Sequence, residues 1–166
     1  MERRTIAEEI KSRPMPPEQA AFLNVLRTSD LLTAELRALL KDRGITRQQY
    51  NVLRILRGAG PEGLPILEIG ARMVTRVPDV TRLVDRMEIA QLVTRTRSDA
   101  DRRVVRTTLT EEGRRIVDSL LVPVSDLHRR QLSHLTAEEL GELSRLLEKV
   151  RARDELPRAC ASDSAE

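Results

Sequence analysis

Arginine supplies most of the chemistry available to this chain. Between residues 72 and 106, nine arginines stand against five acids, Asp79, Asp85, Glu88, Asp99 and Asp101, so this stretch carries more positive charge than the net +3 of the whole sequence. A guanidinium is a permanently charged planar fork that pairs with phosphate oxygens and, bidentately, with the O6 and N7 edge of guanine. Concentrated on one stretch, such groups point to nucleic acid. Arginine richness by itself has a blander source in genomic base composition, since only three of the 29 basic residues are lysine. Base composition does not account for the clustering.

Catalytic chemistry has little to work with. His128 and His134 are the only histidines and Cys160 the only cysteine, so a Cys/His zinc site at ordinary ligand spacing is not available. Ser133 and His134 are neighbours in sequence, which gives no triad geometry. The carboxylates alternate with arginines in the manner of solvated ion pairs on helices. No Gly-rich loop followed by Lys-Ser or Lys-Thr occurs. The expectation is therefore no enzyme, no cofactor and no metal. Cys160 cannot form an intramolecular disulfide; redox sensing is the sharper reading and a bystander in a polar tail the plainer one. No apolar run approaches about 18 residues and no signal-peptide core is evident, so a cytoplasmic protein without a membrane span is expected.

The elements that position these arginines can be read from periodicity. Residues 1–17 hold three prolines and read as a flexible arm, with a short helical piece at Ile6 to Ile10. Phe22, Leu26, Leu32, Leu36 and Leu39/Leu40 recur at helical spacing and predict a long amphipathic helix over 18–43, ended by Gly44. Thr46 and Gln49 form a capping box for a second helix, broken by Gly58, Gly60 and Pro61. Pro65 opens a short third helix with Ile66, Ile69 and Met73 inward; 74–76 is a turn, and Pro78 sits in the first turn of a fourth helix. That helix has an apolar side, Val77, Val80, Leu83, Val84 and Met87, and a polar side, Arg76, Asp79, Arg82 and Arg86.

Residues 92–97 and 104–109 alternate as a β-hairpin with a polar tip, DADRR. Thr110 caps a fifth helix over 111–135, in which Pro123 should produce a kink. Thr136 and Glu139 cap a sixth over 137–153, and 154–166 reads as a disordered tail. With Phe22 and Tyr50 the only aromatics, the core must be aliphatic, which suits helices packed on helices.

An amphipathic helix with Arg and Thr at its N-terminal end has what a major groove requires: an apolar back to hold it and a polar front for base edges and phosphates. The plainer reading is a solvated charged face. The hairpin favours DNA, because Arg102 and Arg103 lie at its tip, and Asp101 and Arg103, two apart on an extended chain, point the same way. An arginine held there suits a narrow minor groove. The rival is a winged-helix module that uses the same arginines against an acidic protein.

The run from Gly58 to Leu120 resembles the MarR family of winged-helix transcriptional regulators through VTRLVDRM (Val80 to Met87), LVTR (Leu92 to Arg95), DADRR (Asp99 to Arg103) and LTEEG (Leu109 to Gly113), in that order and spacing. With the flanking helices the resemblance covers about residues 17–151. It implies a mainly α fold with a small β-hairpin wing, a winged helix-turn-helix lobe over 46–110, and a dimerisation lobe of helices 18–43, 111–135 and 137–153. It also implies a homodimer bound to double-stranded DNA at a pseudo-palindromic operator, most often as a ligand-responsive repressor. Carried over by position, Thr75, Arg76, Asp79, Thr81, Arg82 and Arg86 would face DNA, with Arg97, Asp101, Arg102 and Arg103 on the wing. A cleft for a small-molecule effector is implied too, and Tyr50, Arg54 and His128 are its candidate polar residues. Two departures stand out. Where the family has glycine between recognition helix and wing this chain has Gln91, which leaves a different helix end or a different wing angle as the alternatives. The N-terminal cysteine of peroxide-sensing relatives is absent, which argues against peroxide sensing.

Overall fold

Three capping boxes and two helix-ending motifs set most of the element boundaries. The computed structural model describes residues 4–97 and 105–152. Thr5 with Glu8, Thr46 with Gln49, and Thr136 with Glu139 each cap reciprocally, side chain to backbone in both directions, and open helices α1 (Ile6–Glu9), α3 (Arg47–Ala59) and α7 (Ala137–Arg151). Helix α2 (Pro17–Lys41) starts on a proline, whose missing N–H is not needed there. It ends where the Gly44 N–H donates to the Lys41 carbonyl and the Ile45 N–H to that of Leu40. Gly44 takes φ +69°, and the flanking Leu40 and Ile45 are buried.

The chain then forms strand β1 (Leu64–Pro65), helices α4 (Ile66–Ala71) and α5 (Val80–Ile89), strands β2 (Val93–Arg97) and β3 (Val105–Leu109), and helix α6 (Glu111–Leu132). The sheet is antiparallel in the order β1-β3-β2, with Val93 opposite Leu109, Arg95 opposite Thr107, and Leu64 also opposite Thr107. The wing is thus a three-stranded sheet, not the hairpin alone. The third strand is two residues long, too short to leave a periodic signal. Pro123 lies inside α6, which runs unbroken from Glu111 to Leu132. None of the helices among the described residues is long and apolar enough to cross a membrane.

Two compact units can be distinguished, Met1–His128 and Arg129–Glu166. In the first, Leu40 of α2, Leu53 and Leu56 of α3, Ile69 of α4, Val84 and Met87 of α5, Val93 of β2 and Val117 and Leu120 of α6 are fully enclosed. Burying a side chain of that size stabilises by about 1.5–3 kcal/mol. Tyr50 is the only aromatic in this core. Ile6 of α1 is also buried. Phe22, Val25, Leu26 and Leu31 on α2 and Val122 on α6 remain exposed. In the second unit, α7 is amphipathic but buries no residue, and Leu143, Leu146 and Val150 are exposed.

Candidate nucleic-acid interface and adjoining cavity

Helix α5 starts later than periodicity suggests. Asp79 is its N-cap, accepting the Arg82 N–H at 2.9 Å, and Val77 and Pro78 precede the helix. An aspartate oxygen is a strong acceptor for the free first-turn N–H groups, so the cap overrides proline's preference for the first turn. Asp79 also lies 3.4 Å from the Arg82 guanidinium. Its carboxylate is therefore occupied in holding the first turn and its arginine.

The polar face of α5 is open. Thr81, Arg82 and Arg86 are exposed, Arg82 with 82% of its side chain accessible. Asp79, Arg82 and Arg86 line one shallow concavity with Pro78 and Asp85. Thr75 and Arg76, in the link between α4 and α5, are exposed, as is Arg97 at the end of β2. Among the described residues no carboxylate pairs with Arg76, Arg86 or Arg97. Asp99, Asp101, Arg102, Arg103 and Cys160 lie outside the described residues, as does the tail from 154 onward.

The other arginines of the basic stretch are structural, which sequence alone did not separate. Arg72 pairs with Glu68 at 2.9 Å, and Arg106 donates to the Gly63 carbonyl at 3.1 Å beside β1. Arg95 joins the wing to α5: its guanidinium bonds to Asp85 and lies 3.7 Å from Glu88, while its backbone N–H donates to Glu88 at 3.1 Å. Asp85 and Arg95 belong to two of the quoted motifs, and charge complementarity between them was the available signal.

At Gln91 the helix does not end in the different way that the sequence offered as one alternative. Gln91 itself adopts the left-handed conformation, φ +55°. Its N–H donates to the Glu88 carbonyl and that of Leu92 to the Met87 carbonyl, the same pair of bonds that closes α2. The Gln91 carbonyl accepts the Thr110 hydroxyl at 2.6 Å, and that hydroxyl accepts the Gly113 N–H at 3.0 Å. A Cβ on Gly113 would sit 2.0 Å from the Leu92 carbonyl oxygen, so the start of α6 presses directly on this junction.

Tyr50, Arg54 and His128 come together around one cavity of about 500 Å³, with Leu36, Leu121 and Val124 supplying apolar wall. Thr75, expected only at DNA, lines it as well, beside Met73 and Val74. Arg54 donates to Asn51 at 3.3 Å, and Asn51 donates to the Met73 sulfur at 3.4 Å. Burial pushes the Tyr50 phenol above its ordinary pKa, partly countered by the Arg54 charge, so it stays a neutral donor. A cavity with apolar walls, a phenol and guanidinium groups suits a flat apolar molecule bearing an acceptor or negative group.

A model of the MarR family matches residues 45–105. The HTH-type transcriptional repressor MdtR of Bacillus subtilis (strain 168) is 33% identical over 111 residues, 67% of this chain and 70% of the repressor. The crystal structure of a MarR transcription factor from Planctomyces limnophilus is 43% identical, with a TM-score of 0.61, covering 82% of this chain and 98% of its own. AbsC, a MarR family transcriptional regulator from Streptomyces coelicolor, is 26% identical, with a TM-score of 0.74 over 87% of this chain and 99% of its own.

Proposed function

The chain belongs to the MarR family of helix-turn-helix transcriptional regulators, and from that membership we propose that it is a cytoplasmic, ligand-responsive repressor binding a pseudo-palindromic operator as a homodimer. Helix α5 enters the major groove with Thr75, Arg76, Thr81, Arg82 and Arg86 toward DNA, and Asp79 orients Arg82 while capping the helix. Arg97, Arg102 and Arg103, with Asp101 beside them, form the wing contact. Helices 18–43, 111–135 and 137–153 pair with a second copy, a reading supported by the exposed apolar residues Phe22 and Leu26 on α2 and Leu143 and Val150 on α7. Half-sites then lie about one helical turn apart.

One observation carries the ligand response. The link 72–79 supplies both Thr75 and Arg76 to the exposed face and Met73, Val74 and Thr75 to the cavity wall. A molecule filling the cavity must contact the segment that aims α5.

The test is selection of bound fragments from the host genome, followed by mobility-shift titration at two salt concentrations. With roughly 6–10 phosphates neutralised, affinity should fall about 10³–10⁵-fold between 50 and 200 mM salt. Arg103→Ala should weaken binding while sedimentation still shows a dimer. A flat salt response, or equal binding of selected and random duplex, would reject the DNA reading in favour of a protein-binding module.

A further inference from the structure

A second concavity of about 560 Å³ adjoins the first, lined by Arg37, Lys41, Gly44, Thr46, Arg47 and Gln48. Arg47 and Gln48 line both chambers. Their characters differ sharply: the first is walled by Leu36, Leu121 and Val124, whereas the second gathers three cations and no carboxylate in its lining. Among the described residues neither Lys41 nor Arg47 has an ion-pair partner, and Arg37 meets Asp30 only at 3.7 Å. The positive end of the α3 dipole, at Arg47, adds charge of the same sign. Three like charges around a concavity repel one another, and an anion between them relieves that repulsion.

Along α3, Arg47, Tyr50 with Asn51, and Arg54 recur at helical spacing, so they form one stripe about 10 Å long from the cationic chamber to the phenol and guanidinium of the apolar one. We propose that the effector is an elongated amphiphile: an apolar or aromatic group seated by Tyr50, and a phosphate or polycarboxylate head held by Arg37, Lys41 and Arg47. This rests on the effector reading above and names the chemical class of ligand. A compact aromatic monoanion would fill the first chamber and leave the second set of cations unanswered.

The probe is 6-phenylhexyl phosphate, compared with 6-phenylhexanol and inorganic phosphate by calorimetry. Tyr50 is the sole tyrosine and the chain has no tryptophan, so its emission reports occupancy of the apolar chamber. The protein is the full chain, wild type and Arg37→Ala/Lys41→Ala, with thermal melts confirming that the exposed substitutions leave the fold intact. Charge-assisted bonds to the head group should make the phosphate bind about tenfold or more tightly than the alcohol, and the double variant should erase that difference without changing the alcohol's affinity. Equal affinities in wild type, or an undiminished preference in the variant, would overturn the proposal. So would loss of affinity for a random 40-base-pair duplex with the probe preference intact, since the cations would then belong to the DNA contact. If neither organic probe perturbs Tyr50 while duplex binding is normal, the effector reading falls and this inference falls with it.

Discussion

At Gln91 a side chain occupies backbone space that glycine holds more cheaply. Gly44 closes α2 and Gln91 closes α5 with the same two hydrogen bonds, yet only the first has the residue suited to φ near +60°. The strain is held because Met87 and Leu92, on either side of the cap, are both buried and the Gln91 carbonyl is engaged by Thr110. Gln91→Gly should therefore raise stability by about 0.5–1 kcal/mol; a higher urea midpoint at unchanged slope would show it. Tyr50 gives a pH signature. Its phenol ionises above the ordinary 10.0 when folded, so the folded chain keeps a proton that the unfolded chain loses. Stability is then unaffected by this group below pH 10.0 and declines as pH rises through the folded value. Absorbance titration of this single tyrosine should give a midpoint above 10.0, and Tyr50→Phe should remove its share of the alkaline loss.

At the scale of elements, the wing and α5 act as one piece because two kinds of contact join them. Arg95 ties β2 to Asp85 and Glu88 of α5, and Gly113 lets α6 begin against the Leu92 carbonyl. Gly113→Ala forces a methyl group into backbone, with no flexible side chain to yield, and should cost about 2 kcal/mol or more. Thermal melting would check this. Loss of more than that from the far smaller change at Gln91 would show that the cap, not the α6 contact, governs the junction. The described arginines of the basic stretch divide by the same logic: Arg95 and Arg106 have partners on neighbouring elements and help build the lobe, whereas Arg76, Arg82, Arg86 and Arg97 are exposed.

For the whole molecule, the exposed apolar stripe of α2 is the decisive surface. A 25-residue helix that leaves Phe22, Val25 and Leu26 in solvent along one side is unfavourable in an isolated chain. If the proposed homodimer pairs through this face, Phe22→Asp should shift sedimentation from dimer to monomer and weaken binding to the proposed operator, because a single half-site loses its tethered neighbour. An unchanged dimer carrying this charge would place the interface elsewhere.

The order of the main helices and the hairpin, the capping boxes at Thr46 and Thr136, the aliphatic core and the family were legible in the sequence, because helical period, cap chemistry and four motifs in fixed spacing are local signals; the box at Thr5 was not read there. Tertiary structure decided what depends on distant partners. Leu64 becomes a strand only because β3 offers an open edge, Asp79 replaces Pro78 at the helix start through its bond to Arg82, and Arg95 is structural while Arg82 is exposed. Tyr50, Arg54 and His128 were named together through the family resemblance, but Thr75 beside them at one cavity, and Arg37 and Lys41 at its neighbour, were beyond local pattern. Periodicity assigns each residue to a face of its own helix, but the packing of helices determines what that face meets.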